Sequence, residues 1–466
     1  MPRLVVVSNR VPVPGDRNPA AGGLAVGLAD AVTPGSLWFG WSGRRAATTA
    51  SAATTVEARG ITFATIDLGE SDYRRFYSGF ANSTLYPLLL YRLGLMSFQH
   101  EDYTGYRAVN RAFATALAPL LRPDDMIWIH DYQMMAVAHE LRALGVTQRI
   151  GFFLHTPFVP PALFTALPRA EALLDALCAS DIIGFHTSDY RTAFLDCVKL
   201  LLGHDADAEG RFSHRGRAVQ AIVDPIGIEV ASFTAAATRS ASAGAATALA
   251  QSLGTRQLAI SVDRLDYAKG LPNRIHALDH LFRVHPEHRR RVTFLQVAAP
   301  SREELVDYRT LRRELDRAVG DVNGRYSEPD WTPIRYITRA VRRTTLAGFH
   351  RLSQLGVVTP LRDGMNLVAK EYVAAQNPAD PGVLLLSRFA GAAEDMQEAL
   401  IVNPYDAEEI AEAMHRGLTM PLEERQERQK ALLARIRASS AKQFCGRFLA
   451  ALAPDPAGGT GEEART

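Results

Sequence analysis

Short runs of β-branched and aliphatic residues alternate along this 466-residue chain with longer stretches whose apolar positions recur at helical spacing. Runs of the first kind, bounded by polar turn residues, predict strands buried on both faces. The amphipathic stretches between them predict the crossover helices that cover a parallel sheet. In the first half the runs are Leu4 to Val7, Met126 to Ile129, Ile150 to Leu154 and Ile182 to Phe185. In the second half they are Leu258 to Val262, Val292 to Val297, Gly356 to Thr359 and Val383 to Ser387. Between the two sets, Pro225-Ile-Gly227 leads towards an Ala-, Ser- and Thr-rich stretch from Ala235 to Leu253, where composition shifts most. The pattern predicts an α/β protein of two Rossmann-like doubly wound domains, 1–230 and 231–440. Ligands of such sheets bind beyond the carboxyl ends of the strands, so two facing domains would create a site in a cleft. The Ala/Thr-rich segment 46–55 and the tail 454–466 are expected to be mobile and disordered.

Composition narrows the function classes. At 47% hydrophobic and 22% charged, the chain can bury two full cores. The 52 basic and 50 acidic residues leave a net charge of +2, too little for the field that drives non-specific nucleic-acid binding. Any anionic ligand must therefore be held by local clusters. No stretch of about 18 uncharged apolar residues occurs, so no membrane span is expected. The apolar run at Leu4 is too short for a signal-peptide core and reads as a first strand. Cys178, Cys197 and Cys445 are widely spaced and odd in number, which fits a reducing, cytoplasmic setting without a disulfide framework. No metal-ligand spacing is evident, and no cofactor is expected.

Candidate chemistry gathers at the ends of the expected strands. Thr359-Pro-Leu-Arg-Asp363-Gly-Met-Asn-Leu367-Val368-Ala-Lys-Glu371 reads as a strand end, a tight turn and a helix start. A helix start offers unpaired backbone N–H groups and a positive dipole end, which suit a diphosphate, and Glu371 could accept from ribose hydroxyls. The same residues also suit an ordinary strand-turn-helix connection. Ser261-Val-Asp-Arg264-Leu-Asp-Tyr-Ala-Lys269 follows the first strand of the second half; its two cations could neutralise a leaving diphosphate, or the segment could be a solvated charged loop. Ser8-Asn-Arg10 ends the first strand, and Gly22-Gly23 opens an expected helix where backbone could approach a phosphate. Asp131, in His130-Asp-Tyr132, and His155 close two further strands, and Arg302 follows a strand of the second half. Glycosidase-type carboxylate pairs and Gly-x-Ser-x-Gly, Walker and HExxH patterns are absent from the sequence.

These segments, with Trp38-Phe-Gly-Trp-Ser-Gly43 and Arg362-Asp-Gly-Met-Asn-Leu-Val-Ala-Lys-Glu-Tyr372, closely resemble the trehalose-6-phosphate synthases, in order from residue 1 to about residue 450. The resemblance implies a GT-B glycosyltransferase that retains the donor's α configuration without a metal. It implies that Arg264 and Lys269 clamp the diphosphate, and that Gly22, Gly23 and the backbone from Leu367 through Val368 to Glu371 complete the nucleotide-sugar site. Val341 falls on the nucleobase side, while Asp363 and His155 match residues that hold donor glucose hydroxyls. Arg10, Tyr77, Tyr86, Asp131 and Arg302 match the acceptor site, with both arginines on the 6-phosphate. The last helix, about 441–452, is implied to cross back onto the first domain, and a homo-oligomer is implied. The sequence departs from the family where His-Asp-Tyr-His-Leu becomes His130-Asp-Tyr-Gln-Met134, where Tyr86 replaces a common tryptophan, and at Thr156, where an aliphatic residue usually stands. Tyr86 and Thr156 border the acceptor sugar and bear on acceptor or anomer selectivity.

The expected reaction is glucosyl transfer from a nucleotide diphosphate glucose, with UDP-glucose foremost, to glucose 6-phosphate. Its partners are these small molecules alone. Two alternatives stay open at this stage: a sister enzyme with another phosphorylated acceptor such as glycerol 3-phosphate, and a non-catalytic sugar-phosphate sensor.

Overall fold

The computed structural model describes residues 2–14, 28 and 32–453. The proposed phosphate-approach glycines Gly22 and Gly23 and the tail 454–466 lie outside the described residues. The chain divides into two compact units, Met1–Pro225 with Lys442–Thr466, and Ile226–Ala441.

The first unit is built on strands β1 (Leu4–Arg10), β2 (Leu37–Ala46), β3 (Thr54–Ala58), β4 (Ile61–Gly69), β5 (Met126–His130), β6 (Arg149–Phe153), β7 (Ile182–Phe185), β8 (Arg211–His214) and β9 (Arg217–Val223). Their order across the sheet is β3-β4-β2-β1-β5-β6-β7-β9-β8. Only the edge hairpins β3·β4 and β8·β9 are antiparallel. The inner strands carry continuous apolar runs, as expected of strands covered on both faces: Val5, Val6 and Val7 are fully buried, as are Ile127, Trp128 and Ile129. Strand order reverses between β1 and β5, which places Ser8–Arg10 and His130–Asp131 at the topological switch point.

The second unit holds six parallel strands, β10 (Gln257–Arg264), β11 (Val292–Ala299), β12 (Ile334–Ile337), β13 (Leu355–Val358), β14 (Val383–Ser387) and β15 (Leu400–Val402). Their order is β12-β11-β10-β13-β14-β15, the 3-2-1-4-5-6 arrangement of a dinucleotide-type sheet. Its switch point falls between β10 and β13. The loops carrying Arg264 to Lys269 and Thr359 to Asp363 leave the sheet there.

Two segments differ from the sequence reading. The Ala-, Ser- and Thr-rich stretch forms two helices, Val230–Ala241 and Gly244–Leu253, that pack within the second unit. Small residues allow close helix packing as readily as they mark a linker, and Ala237 and Ala246 are buried there. Segment 46–55, expected to be mobile, is tied down by long-range bonds. Thr49 Oγ1 donates to Asp72 at 2.5 Å and accepts from the Gly69 amide at 2.8 Å, and Ala50 N donates to the Asp67 carbonyl at 3.0 Å.

The last helix, Ala441–Leu452, belongs to the first unit. Phe448 is fully buried and stacks on Trp128 of β5 with centroids 4.6 Å apart. Gly151 of β6 makes room for it, since a Cβ there would sit 2.6 Å from the Phe448 ring. Arg447 pairs with the buried Asp224 carboxylate at 2.6 Å. Burial raises that carboxyl to about 6 even against Arg447.

Candidate active site

In the second unit a buried ion pair organises the switch point. The Arg274 side chain is wholly buried in the Leu271–Val284 helix and meets Asp263, at the end of β10, at 2.5 Å. The same guanidinium donates to Thr359 Oγ1 beyond β13 at 2.8 Å, to the Lys269 carbonyl at 2.6 Å and to Ser261 Oγ. Five fixed donors in one plane can tie two strand ends and a loop together at once. Burial pushes the Asp263 carboxyl up, and Arg274 and then Lys269 pull it back. Sequence reasoning passed over Arg274. The available signal was its place on the apolar face of its helix, in step with Leu271, Ile275 and Leu278.

Lys269 and Asp363, 94 positions apart, form an ion pair of 2.5 Å. Asn366 Nδ2 donates to the same Asp363 oxygen at 2.9 Å, while Asn366 Oδ1 caps the Leu367–Ala375 helix by accepting from Ala369 N. Asn366 takes φ +71°, a left-handed conformation that asparagine tolerates better than most residues. The first-turn amides of Leu367 and Val368 have no acceptor inside the helix and are open to an anion. Glu371, one turn on, accepts from Arg343 at 2.8 Å; burial raises its carboxyl and Arg343 opposes the rise. Val341 stands two residues before Arg343 in the chain.

Asp266 stands near two further arginines of this unit, Arg264 and Arg302. It is fully buried, caps Ala268 N at 3.0 Å, and lies 3.8 Å from Arg264 and 3.6 Å from Arg302. The Arg264 side chain keeps 44% exposure, whereas that of Arg302 keeps 7% and donates to Tyr308 Oη at 2.5 Å. Arg302 thus reaches Tyr308 and the vicinity of the buried Asp266.

In the first unit Arg10 lies over the Trp41 ring at 5.5 Å. Tyr77 and Tyr73 stack at 5.2 Å, and both approach Trp41, Tyr73 at 5.2 Å and Tyr77 at 6.3 Å. Tyr77 sits on a π-helix, Arg74–Leu85, whose extra residue per turn re-aims side chains and is frequent at functional sites. Gly43, at φ +84°, is required beside Arg10: a Cβ there would fall 1.6 Å from Nη1. Asp131, at φ +74°, holds two strand ends by accepting from Tyr132 N at 3.0 Å and His155 N at 3.3 Å.

His130 and His155 share a 3.1 Å contact from Nδ1 to Nε2. His130 Nε2 is buried with no partner among the described residues. A buried lone pair is easier to leave unpaired than a buried N–H, so His130 donates from Nδ1 and His155 carries its own proton on Nδ1. Burial lowers His155 to about 3 and also lowers His130, with His155 adding to that shift. Tyr86 is buried against Tyr132 at 5.4 Å. Thr156 is buried too, and its Oγ1 has no partner among the described residues.

The family model of glycosyltransferase family 20 matches residues 2–454. The chain belongs to that family. It is 46% identical to the trehalose-6-phosphate synthase of Sinorhizobium fredii over 96% of this chain and 98% of that one. A Burkholderia xenovorans α,α-trehalose-phosphate synthase solved with glucose-6-phosphate superposes with a TM-score of 0.94 at 43% identity, covering 97% of this chain and all of that one. An E. coli structure with UDP-2-fluoro glucose bound superposes at 0.90 and 44% identity, over 97% and 98%. The fold class is that of a GT-B glycosyltransferase, and the protein is a glycosyltransferase of this kind. Among the described residues no helix is long and apolar enough to cross a membrane.

Two measurements test this arrangement. Arg274→Ala leaves Asp263 buried without its principal partner, and should cost about 3–5 kcal/mol of stability, while the double change Arg274→Met with Asp263→Asn recovers part of it. An unchanged unfolding curve for Arg274→Ala would remove the pair from its organising role. By NMR, the His155 ring should stay neutral from pH 8 to pH 5. Because its folded value lies below the unfolded value of about 6.5, the unfolded chain binds the proton first. Stability is then fully present above about 6.5 and is lost as pH falls towards 3. A His155 midpoint near 6.5 would contradict the burial argument.

Proposed function

We propose that this enzyme transfers glucose from UDP-glucose to glucose 6-phosphate with retention, giving trehalose 6-phosphate. The observation that carries the reading is the cluster at the second unit's switch point, where Arg264, the Lys269–Asp363 pair and the start of the Leu367–Ala375 helix converge on one sheet edge. Relatives of the same family, solved with glucose-6-phosphate and with a UDP-glucose analogue, support the choice of substrates.

Arg264 and Lys269 act on the diphosphate as negative charge grows on it in the transition state. Lys269 is held by Asp363, so its ammonium is oriented before the nucleotide sugar arrives. The Leu367 and Val368 amides take further phosphate oxygens. Glu371 takes the ribose hydroxyls, and Val341 lies towards the base. Asp363 and the Nδ1–H of His155 take hydroxyls of the donor glucose. Arg10 and Arg302 hold the acceptor phosphate, with Tyr77, Tyr86 and Asp131 around its sugar. Tyr86 and Thr156 set the acceptor's fit. No protein nucleophile is needed: the departing diphosphate oxygen takes the proton of the attacking acceptor hydroxyl. Three buried thiols and phosphorylated substrates fit a cytoplasmic enzyme.

Incubating the protein with UDP-glucose or GDP-glucose and with glucose 6-phosphate or glycerol 3-phosphate, followed by product analysis, tests the reading. Trehalose 6-phosphate should form fastest with UDP-glucose and glucose 6-phosphate. A faster product from glycerol 3-phosphate, or binding of glucose 6-phosphate without turnover, would overturn it. Arg264→Ala and Lys269→Ala should each lower kcat about 100-fold or more, because each charge acts mainly on the transition state. Near-normal kcat in either variant would refute the clamp.

A further inference from the structure

Arg302, one of the two arginines read above as acceptor-phosphate ligands, sits in a backbone conformation that residues with side chains disfavour. It takes φ +48°, in the left-handed region, on the connection between β11 and the Val306–Tyr326 helix. Its carbonyl accepts from Leu305 N at 2.9 Å, which closes a turn just before that helix. A strained residue of this kind persists only where its surroundings fix it. For Arg302 those surroundings include the contacts of a side chain that is almost wholly buried.

Tyr308, the third residue of the helix, supplies one of these contacts. It is buried, and its ring meets Tyr267 edge-on, with centroids 5.3 Å apart and planes at 62°. Packing thus fixes the ring and with it the position of Oη. Arg302 Nη1 donates to that oxygen at 2.5 Å, and the guanidinium carbon lies 5.6 Å from the ring centroid. Tyr308 Oη in turn faces Asp266 Oδ2 at 3.5 Å. A phenol can accept from a cation and donate to a carboxylate at once, so the hydroxyl stands between the two charges. Arg302 Nη1 is 3.6 Å from Asp266 Oδ2, longer than the roughly 2.7–2.9 Å of a direct charge-assisted bond. Without the hydroxyl the guanidinium can fall onto the carboxylate, where a bidentate pair takes the planar fork that a phosphate needs.

We propose that Tyr308 is a positioning residue for the acceptor phosphate, its hydroxyl holding Arg302 off Asp266 and setting the direction of the guanidinium. The inference rests on the transfer reaction proposed above and on Arg302 as a phosphate ligand within it. Tyr308 acts only through that arginine. The Asp266 oxygen that faces the phenol also lies 3.8 Å from Arg264, so the arrangement spaces an acceptor cation and a donor cation around one anion. Arg264 has no printed contact with Tyr308 and is partly exposed, so loss of the hydroxyl acts first on Arg302 and the acceptor.

The test compares Tyr308→Phe, which keeps the ring and removes the hydroxyl, with Arg302→Ala in the full-length protein, and measures KM for glucose 6-phosphate and for UDP-glucose separately. Both variants should raise the glucose 6-phosphate KM, Tyr308→Phe by about tenfold, while the UDP-glucose KM stays within about twofold of the parent. In the Arg302→Ala background, Tyr308→Phe should add less than about twofold, because the hydroxyl acts through that guanidinium. A general loosening of the packing would raise both KM values in Tyr308→Phe and would overturn the positioning role. So would an unchanged glucose 6-phosphate KM in Tyr308→Phe beside a raised one in Arg302→Ala, an outcome that leaves the proposed reaction standing. An unchanged value in Arg302→Ala would remove Arg302 from the acceptor site and the inference with it.

Discussion

A single buried cation, Arg274, sets the geometry on which the nucleotide-sugar half of this protein depends. A buried guanidinium must satisfy its donors within the protein, and among the described residues the ends of two adjacent strands and the loop between sheet and helix do so. The requirement locks Ser261 and Asp263 of β10, Thr359 beyond β13, and the Lys269 carbonyl into one frame. Lys269 can then meet Asp363 across the switch point without an ordering cost when substrate arrives. The Asp263 side chain is nearly buried, and its contribution is to hold Arg274 in place.

Carboxylates at strand and turn ends recur in the same role elsewhere in the chain. Asp266 collects Arg264 and Arg302, Asp131 joins the ends of β5 and β6, and Asp224 anchors the last helix through Arg447. In each case a short acidic side chain at a strand or turn end is satisfied by backbone amides or arginines, which leaves longer cations to face ligands. The preference for arginine over lysine at these junctions follows from its planar fork, which can serve two acceptors at once.

The first unit holds its candidate cation differently, against an aromatic face. Trp41 lies under the guanidinium, Tyr73 and Tyr77 pack against Trp41, and Gly43 clears the space beside Arg10. The His130–His155 pair applies the same economy to neutral groups, since burial strips both rings of charge and one proton orders them.

Much of this was legible in the chain itself. Strands buried on both faces must be continuous apolar runs, so the parallel strands and the polar residues ending them could be read directly, and with them Arg10, Asp131, His155, Arg264 and Asp363. Local pattern carries such information because it depends on neighbours two to four positions apart. Pairings across long separations depend on how sheets order their strands. Only the tertiary structure decided that Lys269 meets Asp363, that Arg302 reaches Tyr308 and Asp266, that segment 46–55 is pinned by Asp67 and Asp72, and that His285 and Glu287 come to face His415. Strand order across the two sheets, set by burial of helices on both faces, brings those residues together, and no periodicity in the sequence encodes it.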